Sequence, residues 1–148
     1  MSDISDLYQE VIIDHSRSPR NCYCLENANH HAEGFNPLCG DKLTLYVRVS
    51  NDIIEEASFI GSGCAISTAS ASLMTEALKG KTQAEAETLF QAFHQLLTSK
   101  IAADVDKLGK LIILQGVREF PSRVKCATLA WHTLHAALLD ENKIISTE

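Results

Sequence analysis

Residues 42–60 read Lys42-Leu43-Thr44-Leu45-Tyr46-Val47-Arg48-Val49-Ser50, then Asn51-Asp52, then Ile53-Ile54-Glu55-Glu56-Ala57-Ser58-Phe59-Ile60. Leu43, Leu45, Val47 and Val49 alternate with Lys42, Thr44, Tyr46, Arg48 and Ser50, the period of a half-buried strand. Asn51-Asp52 turns the chain and the second run returns, which predicts an antiparallel hairpin. Gly61-Ser62-Gly63 then breaks the strand pattern. Ala65 to Leu78, rich in Ala and Ser, reads as a helix packed closely on the sheet and capped at Gly80.

Upstream, Ile4, Leu7, Tyr8, Val11, Ile12 and His15 fall on one face of a helix over residues 4–15, bounded by Pro19. A polar stretch runs to about residue 30, and a short edge strand is expected around His31 to Phe35. Downstream, Thr82-Gln83-Ala84-Glu85 is a capping box. The helix it opens carries Leu89, Phe90, Phe93, Leu96 and Leu97. Ile101 to Leu114 reads as a further helix and Gly116 to Pro121 as a loop. Ser122 is expected to cap a last helix whose face is Val124, Ala127, Trp131, Leu134 and Leu138. Repeats and linkers are absent from the pattern, so residues 1–148 are expected to form a single domain.

The chain has 45% hydrophobic and 22% charged residues, ordinary for a globular protein, and a net charge of −6. That charge opposes nonspecific nucleic-acid binding. With no apolar run of spanning length and no basic and apolar leader, no membrane association is expected, and the expected location is cytoplasmic. Five cysteines is an odd number, and a reducing compartment disfavours disulfides, so metal binding or thiol chemistry is the better use for them.

Three of the cysteines lie in special settings. Cys39 sits in Asn36-Pro37-Leu38-Cys39-Gly40-Asp41, a Pro/Gly turn with a carboxylate two residues on. Cys64 follows Gly61-Ser62-Gly63 where the strand gives way to the helix, and Cys126 follows Arg123-Val124-Lys125 near the start of the last helix. At a helix N-terminus the free N–H groups and the macrodipole favour a thiolate, and Arg123 and Lys125 add positive charge. With Asp41 the three make a four-ligand set suited to zinc. Their long intervals match no local zinc-finger spacing, and read from the residues alone they are either ligands of one metal or buried reduced thiols.

These three contexts, with Leu7-Tyr8-Gln9-Glu10-Val11-Ile12, Asp14-His15 and Pro19-Arg20-Asn21, resemble the U-type iron–sulfur cluster assembly proteins, the IscU/NifU/SufU family. The resemblance runs from about residue 5 to residue 140. It implies an α+β, SufE/NifU-like fold, with a small antiparallel sheet of about three strands packed against several helices and a metal or cluster site at one end of the sheet. It also implies Cys39, Asp41, Cys64 and Cys126 as metal ligands. In IscU-type scaffolds a histidine precedes the third cysteine; in this chain it is Lys125, whose ammonium has no lone pair to ligate. That departure, and the longer interval from Cys64 to Cys126, resemble the SufU branch. The expectation is a zinc-bound, sulfurtransferase-like acceptor that takes persulfide sulfur from a cysteine desulfurase onto Cys39 and passes it to downstream iron–sulfur assembly proteins. Arg123 and Lys125 would offset the excess negative charge of the site. The alternatives are a scaffold on which a [2Fe-2S] cluster is built and transferred, with that cluster as cofactor, and a structural zinc-binding interaction domain.

Other candidates are weaker. Cys22 and Cys24 form a C-x-C pair near His30-His31, read either as a second metal site or as accessible thiols. His15 falls on the packed face of its helix and is expected to be structural, although Asp14-His15 suggests acid–base work. His94, His132 and His135 lie on predicted helices with surface or packing roles, and Trp131 is expected in the core. Arg118 either docks an acidic partner or is solvated.

Overall fold

The computed structural model describes residues 3–37, 40–98, 108–139 and 144–146. Its elements are α1 (Asp3–Arg17), β1 (His30–Asn36), β2 (Asp41–Ser50), β3 (Ile53–Ser62), α2 (Ala65–Leu78), α3 (Gln83–Thr98), a 3₁₀ segment (Gly109–Glu119), α4 (Pro121–Leu138) and β4 (Ile144–Ser146). The sheet order is β3-β2-β1-β4; β1, β2 and β3 are antiparallel and β4 runs parallel to β1. The fold is therefore α+β, as expected, with one short parallel strand added at an edge.

The hairpin forms as its pattern dictates. Leu43, Leu45 and Val47 are buried, and Ser50 pairs with Ile53 across a two-residue turn. Asn51 and Asp52 both have positive φ (52° and 66°), the conformation that matches the twist of the flanking strands. Arg48 pairs with Glu56 but Val49 pairs with Ile54, so Glu55 is an extra residue on β3. This bulge explains why β3 alternates less cleanly than β2.

Helix α2 is buried nearly all round, and its small polar residues tie it to its neighbours. Ser70 Oγ donates to the Ala127 carbonyl (2.5 Å) and accepts from Trp131 Nε1 (3.3 Å). Ser72 Oγ accepts the Arg20 N–H (2.8 Å) and bonds His15 Nδ1 (2.7 Å). Gly80, at φ +85°, follows the C-cap Lys79 and donates its N–H to the Ile54 carbonyl (2.8 Å). The Thr82/Glu85 box is formed in both directions, at 3.1 and 3.0 Å. Trp131 stacks on Phe93 with ring centroids 4.7 Å apart, deep in the core.

Helix α4 crosses β1 at close range over Gly34. A Cβ on Gly34 would stand 2.1 Å from Thr133 Oγ1 and 3.0 Å from Leu129 Cδ1.

The C-terminal half corrects three expectations. Of the expected helix Ile101 to Leu114, residues 101–107 lie outside the described residues, and the segment from Gly109 onward is 3₁₀ rather than α. The expected loop from Gly116 is also 3₁₀ as far as Glu119. Leu108, Leu111, Leu114 and Val117 are all buried at a spacing of three, which aligns one face of a 3₁₀ turn where an α-helix would rotate it away. Ser122 does not cap the last helix. Phe120 is the N-cap with no side-chain bond, Pro121 occupies the first turn, and Ser122 is exposed inside the helix. Proline arrives with its φ preset and no N–H to satisfy, so the start needs less capping. The Phe120 carbonyl accepts from Arg123 N–H (2.8 Å) and Val124 N–H (3.2 Å).

Candidate metal centre

One end of the sheet collects the cysteine contexts. The β1–β2 register sets Asn36 opposite Asp41, and Lys42 pairs with Ser62, so the end of β1, the start of β2 and the end of β3 meet. Asp41, Cys64 and Cys126 have ligand atoms that all lie within 4.8 Å of one another, the group of this kind among the described residues. Cys39 lies outside the described residues.

Each member is held by local structure. Cys64 is the N-cap of α2, and its sulfur accepts the Ser67 N–H (3.4 Å). Its own N–H donates to Asp41 Oδ1 (2.8 Å), which ties the carboxylate to the helix start. Gly63 makes that approach feasible: a Cβ there would stand 2.7 Å from Asp41 Oδ1. Asp41 itself is fully buried.

Cys126 lies deeper than its place near the helix start suggests. It is the sixth residue of α4, fully buried, with its thiol 3.8 Å from the Ser122 carbonyl. It is therefore neither exposed nor in the first turn, where the dipole acts most strongly. Arg123 is exposed and Lys125 half-buried on the α4 turns leading to it. Asn36, which is not a ligand type and was assigned no role from the sequence, is fully buried, with Nδ2 3.3 Å from Asp41 Oδ2 and 3.5 Å from Cys126 Sγ. Its signal was present in β1: Ala32, Gly34 and Asn36 share the inward period, so a polar residue ends an inward row.

Two sulfurs and one carboxylate fit zinc, which takes thiolate at about 2.3 Å and carboxylate oxygen at about 2.0–2.2 Å in a tetrahedron. Such a tetrahedron puts its ligand atoms about 3.5–3.8 Å apart, so modest contraction of the observed group completes three corners.

The remaining candidates are not gathered there. Cys22 and Cys24 are exposed and form no such ligand group with His30 or His31. Cys22 bridges to Phe59 on β3, and Cys24 hydrogen-bonds Tyr46, which raises that phenol's pKa. Tyr23, between them, donates to the Glu56 carboxylate, which pushes its pKa up to about 12. His15 is structural: it is buried against Ser72, and desolvation, with Arg20 nearby, lowers its pKa. Asp14 pairs with Arg20 at 2.6 Å on the surface. His94, His132 and His135 surround Phe90 on the α3–α4 seam, and His135 Nδ1 is 3.0 Å from Glu87. None of the described helices is long and apolar enough to cross a membrane.

Residues 7–127 match the family model described as the NifU-like N terminal domain. The chain is 41% identical over 140 residues to the zinc-dependent sulfurtransferase SufU of Bacillus subtilis, covering 95% of each chain. It is 39% identical over 138 residues to the iron–sulfur cluster assembly scaffold protein IscU of Streptococcus pyogenes, covering 93% of this chain and 86% of that one. A crystal structure of a scaffold candidate for iron–sulfur cluster assembly in the SUF system, from Fervidobacterium islandicum, superposes with a TM-score of 0.83 at 39% identity, over 87% of this chain and 94% of that one. The chain thus belongs to the NifU-like N-terminal domain family, the U-type proteins of iron–sulfur cluster assembly.

Proposed function

We propose that this protein is a zinc-bound sulfur acceptor for iron–sulfur cluster assembly, working with a cysteine desulfurase. The observation that carries the reading is the convergence of Asp41, Cys64 and Cys126 at one end of the sheet, with Lys125 rather than a ligating side chain before Cys126. The similarity to a zinc-dependent sulfurtransferase supports it. Cys39, two residues before Asp41, is the fourth ligand and the acceptor. Bound zinc keeps the ligand thiols deprotonated and damps their oxidation. Three thiolates and a carboxylate exceed its charge, and Arg123 and Lys125 offset the remainder.

In the transfer, the Cys39 thiolate attacks the outer sulfur of the desulfurase persulfide. A new S–S bond forms on Cys39, the old one breaks, and the desulfurase cysteine leaves as a thiolate, as in thiol–disulfide exchange. Buried Cys126 is shielded from such an approach, which leaves the acceptor role to a more accessible cysteine.

The test is metal analysis and absorption of anaerobically purified protein, followed by mass mapping of sulfur after reaction with a persulfide-loaded desulfurase. About one zinc per chain, no colour, and added sulfur on Cys39 are expected. A stably bound brown chromophore without zinc would establish the scaffold reading instead. Zinc with no sulfur transfer would leave only a structural zinc domain.

A further inference from the structure

Asn36 ends the inward row of β1 in a fully buried position. A polar side chain there is costly unless its groups are bonded. Its Nδ2 lies 3.3 Å from Asp41 Oδ2 and 3.5 Å from Cys126 Sγ. An ionised carboxylate and a thiolate can only accept hydrogen bonds, so the amide nitrogen, with two N–H groups, must face them rather than the amide oxygen. The groups it joins come from separate elements: Asp41 opens β2 and Cys126 lies on the second turn of α4. Asp41 Oδ1 is meanwhile fixed by the Cys64 N–H, so both carboxylate oxygens have a donor.

We propose that Asn36 is a positioning residue of the metal site, coupling Asp41 and Cys126 into one fixed pair of ligands. The proposal rests on the metal reading above. One carboxamide spans both ligands, so neither moves without disturbing its bond to the other. An N–H donated to sulfur also draws electron density from it, which makes Cys126 the poorer nucleophile. Asp41 and Cys126 are thus the half of the site that stays put.

The direct test uses the whole wild-type chain loaded with cadmium-113 in place of zinc. Proton–cadmium correlation should show couplings to cysteine β-protons and an additional coupling, carried through the Cys126 sulfur, to a side-chain amide proton of Asn36. Cysteine couplings without the Asn36 coupling would overturn the proposal. Absence of any cysteine coupling would overturn the metal reading, and this proposal with it. In parallel, Asn36→Leu removes both N–H donors at similar bulk. It should weaken zinc affinity about 10–100-fold, the usual effect of losing a group that orients a metal ligand. In cobalt-loaded protein it should also shift the sulfur-to-metal charge-transfer band to lower energy. Unchanged affinity and an unshifted band in folded Asn36→Leu would overturn the proposal, and if that variant fails to fold, the wild-type coupling decides alone.

Discussion

The chain holds cysteines in two arrangements. Cys22 and Cys24 are neighbours in sequence yet exposed, one bridged to the β3 edge and the other bonded to Tyr46 on the outer side of the sheet. Cys64 and Cys126 are far apart in sequence yet meet Asp41 within 4.8 Å, one half-buried and the other fully so. Closeness along the chain therefore did not make the ligand group; convergence of strand ends, the start of α2 and the second turn of α4 did. What separates the two is supporting structure. Around Asp41 stand the Cys64 N–H, the Asn36 amide and a glycine with no Cβ to intrude, whereas in the C-x-C pair Cys24 meets the Tyr46 hydroxyl and Cys22 the β3 backbone at Phe59.

This contrast breaks most sharply at the level of chemistry. Cys39→Ser should abolish sulfur acceptance, because a serine hydroxyl is almost wholly protonated at neutral pH where a metal-poised thiol is ionised. Cys64→Ser and Cys126→Ser should also lose it, by losing zinc. Desulfurase turnover with mass mapping of each variant is the measurement, and sulfur found on Cys22 or Cys24 with Cys39→Ser fully active would reverse the assignment.

The next effect is on affinity. Asp41→Ala should weaken zinc binding by more than the ~10–100-fold typical of losing a group that only orients a ligand, read by competition with a chelator. It also strips the Cys64 N–H of its acceptor, at a cost of about 1–3 kcal/mol in stability. Gly63→Ala should act in the same direction without removing any ligand, because its Cβ would displace Asp41 Oδ1. Wild-type affinity in Gly63→Ala would mean that the carboxylate does not need its present position.

A smaller effect lies outside both cysteine regions. His15 and His132 have lowered pKa values, each chiefly by desolvation. A histidine held neutral by the fold contributes stability that is present above its unfolded value of 6.5 and is lost as pH falls through its folded value, since the unfolded chain binds the proton more readily. Denaturant midpoints should therefore fall on acidification below about pH 6.5, and His15→Gln should flatten that slope. An identical slope in the variant would remove His15 from the account.

The smallest effect belongs to the exposed pair. Cys22→Ser and Cys24→Ser should alter stability by less than about 0.5 kcal/mol and leave zinc content unchanged. A drop in zinc stoichiometry in either would erase the distinction between the two cysteine regions.

Much of the frame could be read in advance where one local signal dominated. The β2 alternation, the Asn51-Asp52 turn, the small-residue helix and the Thr82/Glu85 box each have one physical reading, and each formed. Readings failed where two signals competed. Leu108, Leu111, Leu114 and Val117 satisfy a period of three, yet over so short a run that period resembles the helical one. At the last helix, Ser122 is a good cap type, but Pro121 fixed the start two residues earlier. At the metal centre the ligand types were legible from their motifs. Burial of Cys126 was not, because it depends on how α4 lies across the sheet. Asn36 escaped for a related reason: its partners come from two other elements, one of them 90 residues away.

The contact at Gly34 gives the site a mechanical sensitivity far from any ligand. Cys126 sits three residues before Leu129, just under one helical turn, so α4 is a stiff beam whose resting point on β1 determines where that sulfur stands. A methyl group at position 34 would intrude on Thr133 and Leu129, and the beam would have to lift or tilt. Displacement of even about 1 Å lies beyond the tolerance of metal coordination, which is set within about 0.2 Å. The bare Cα at position 34 thus acts as a shim, and altering it would detune the ligand set while much of the surrounding core remained assembled.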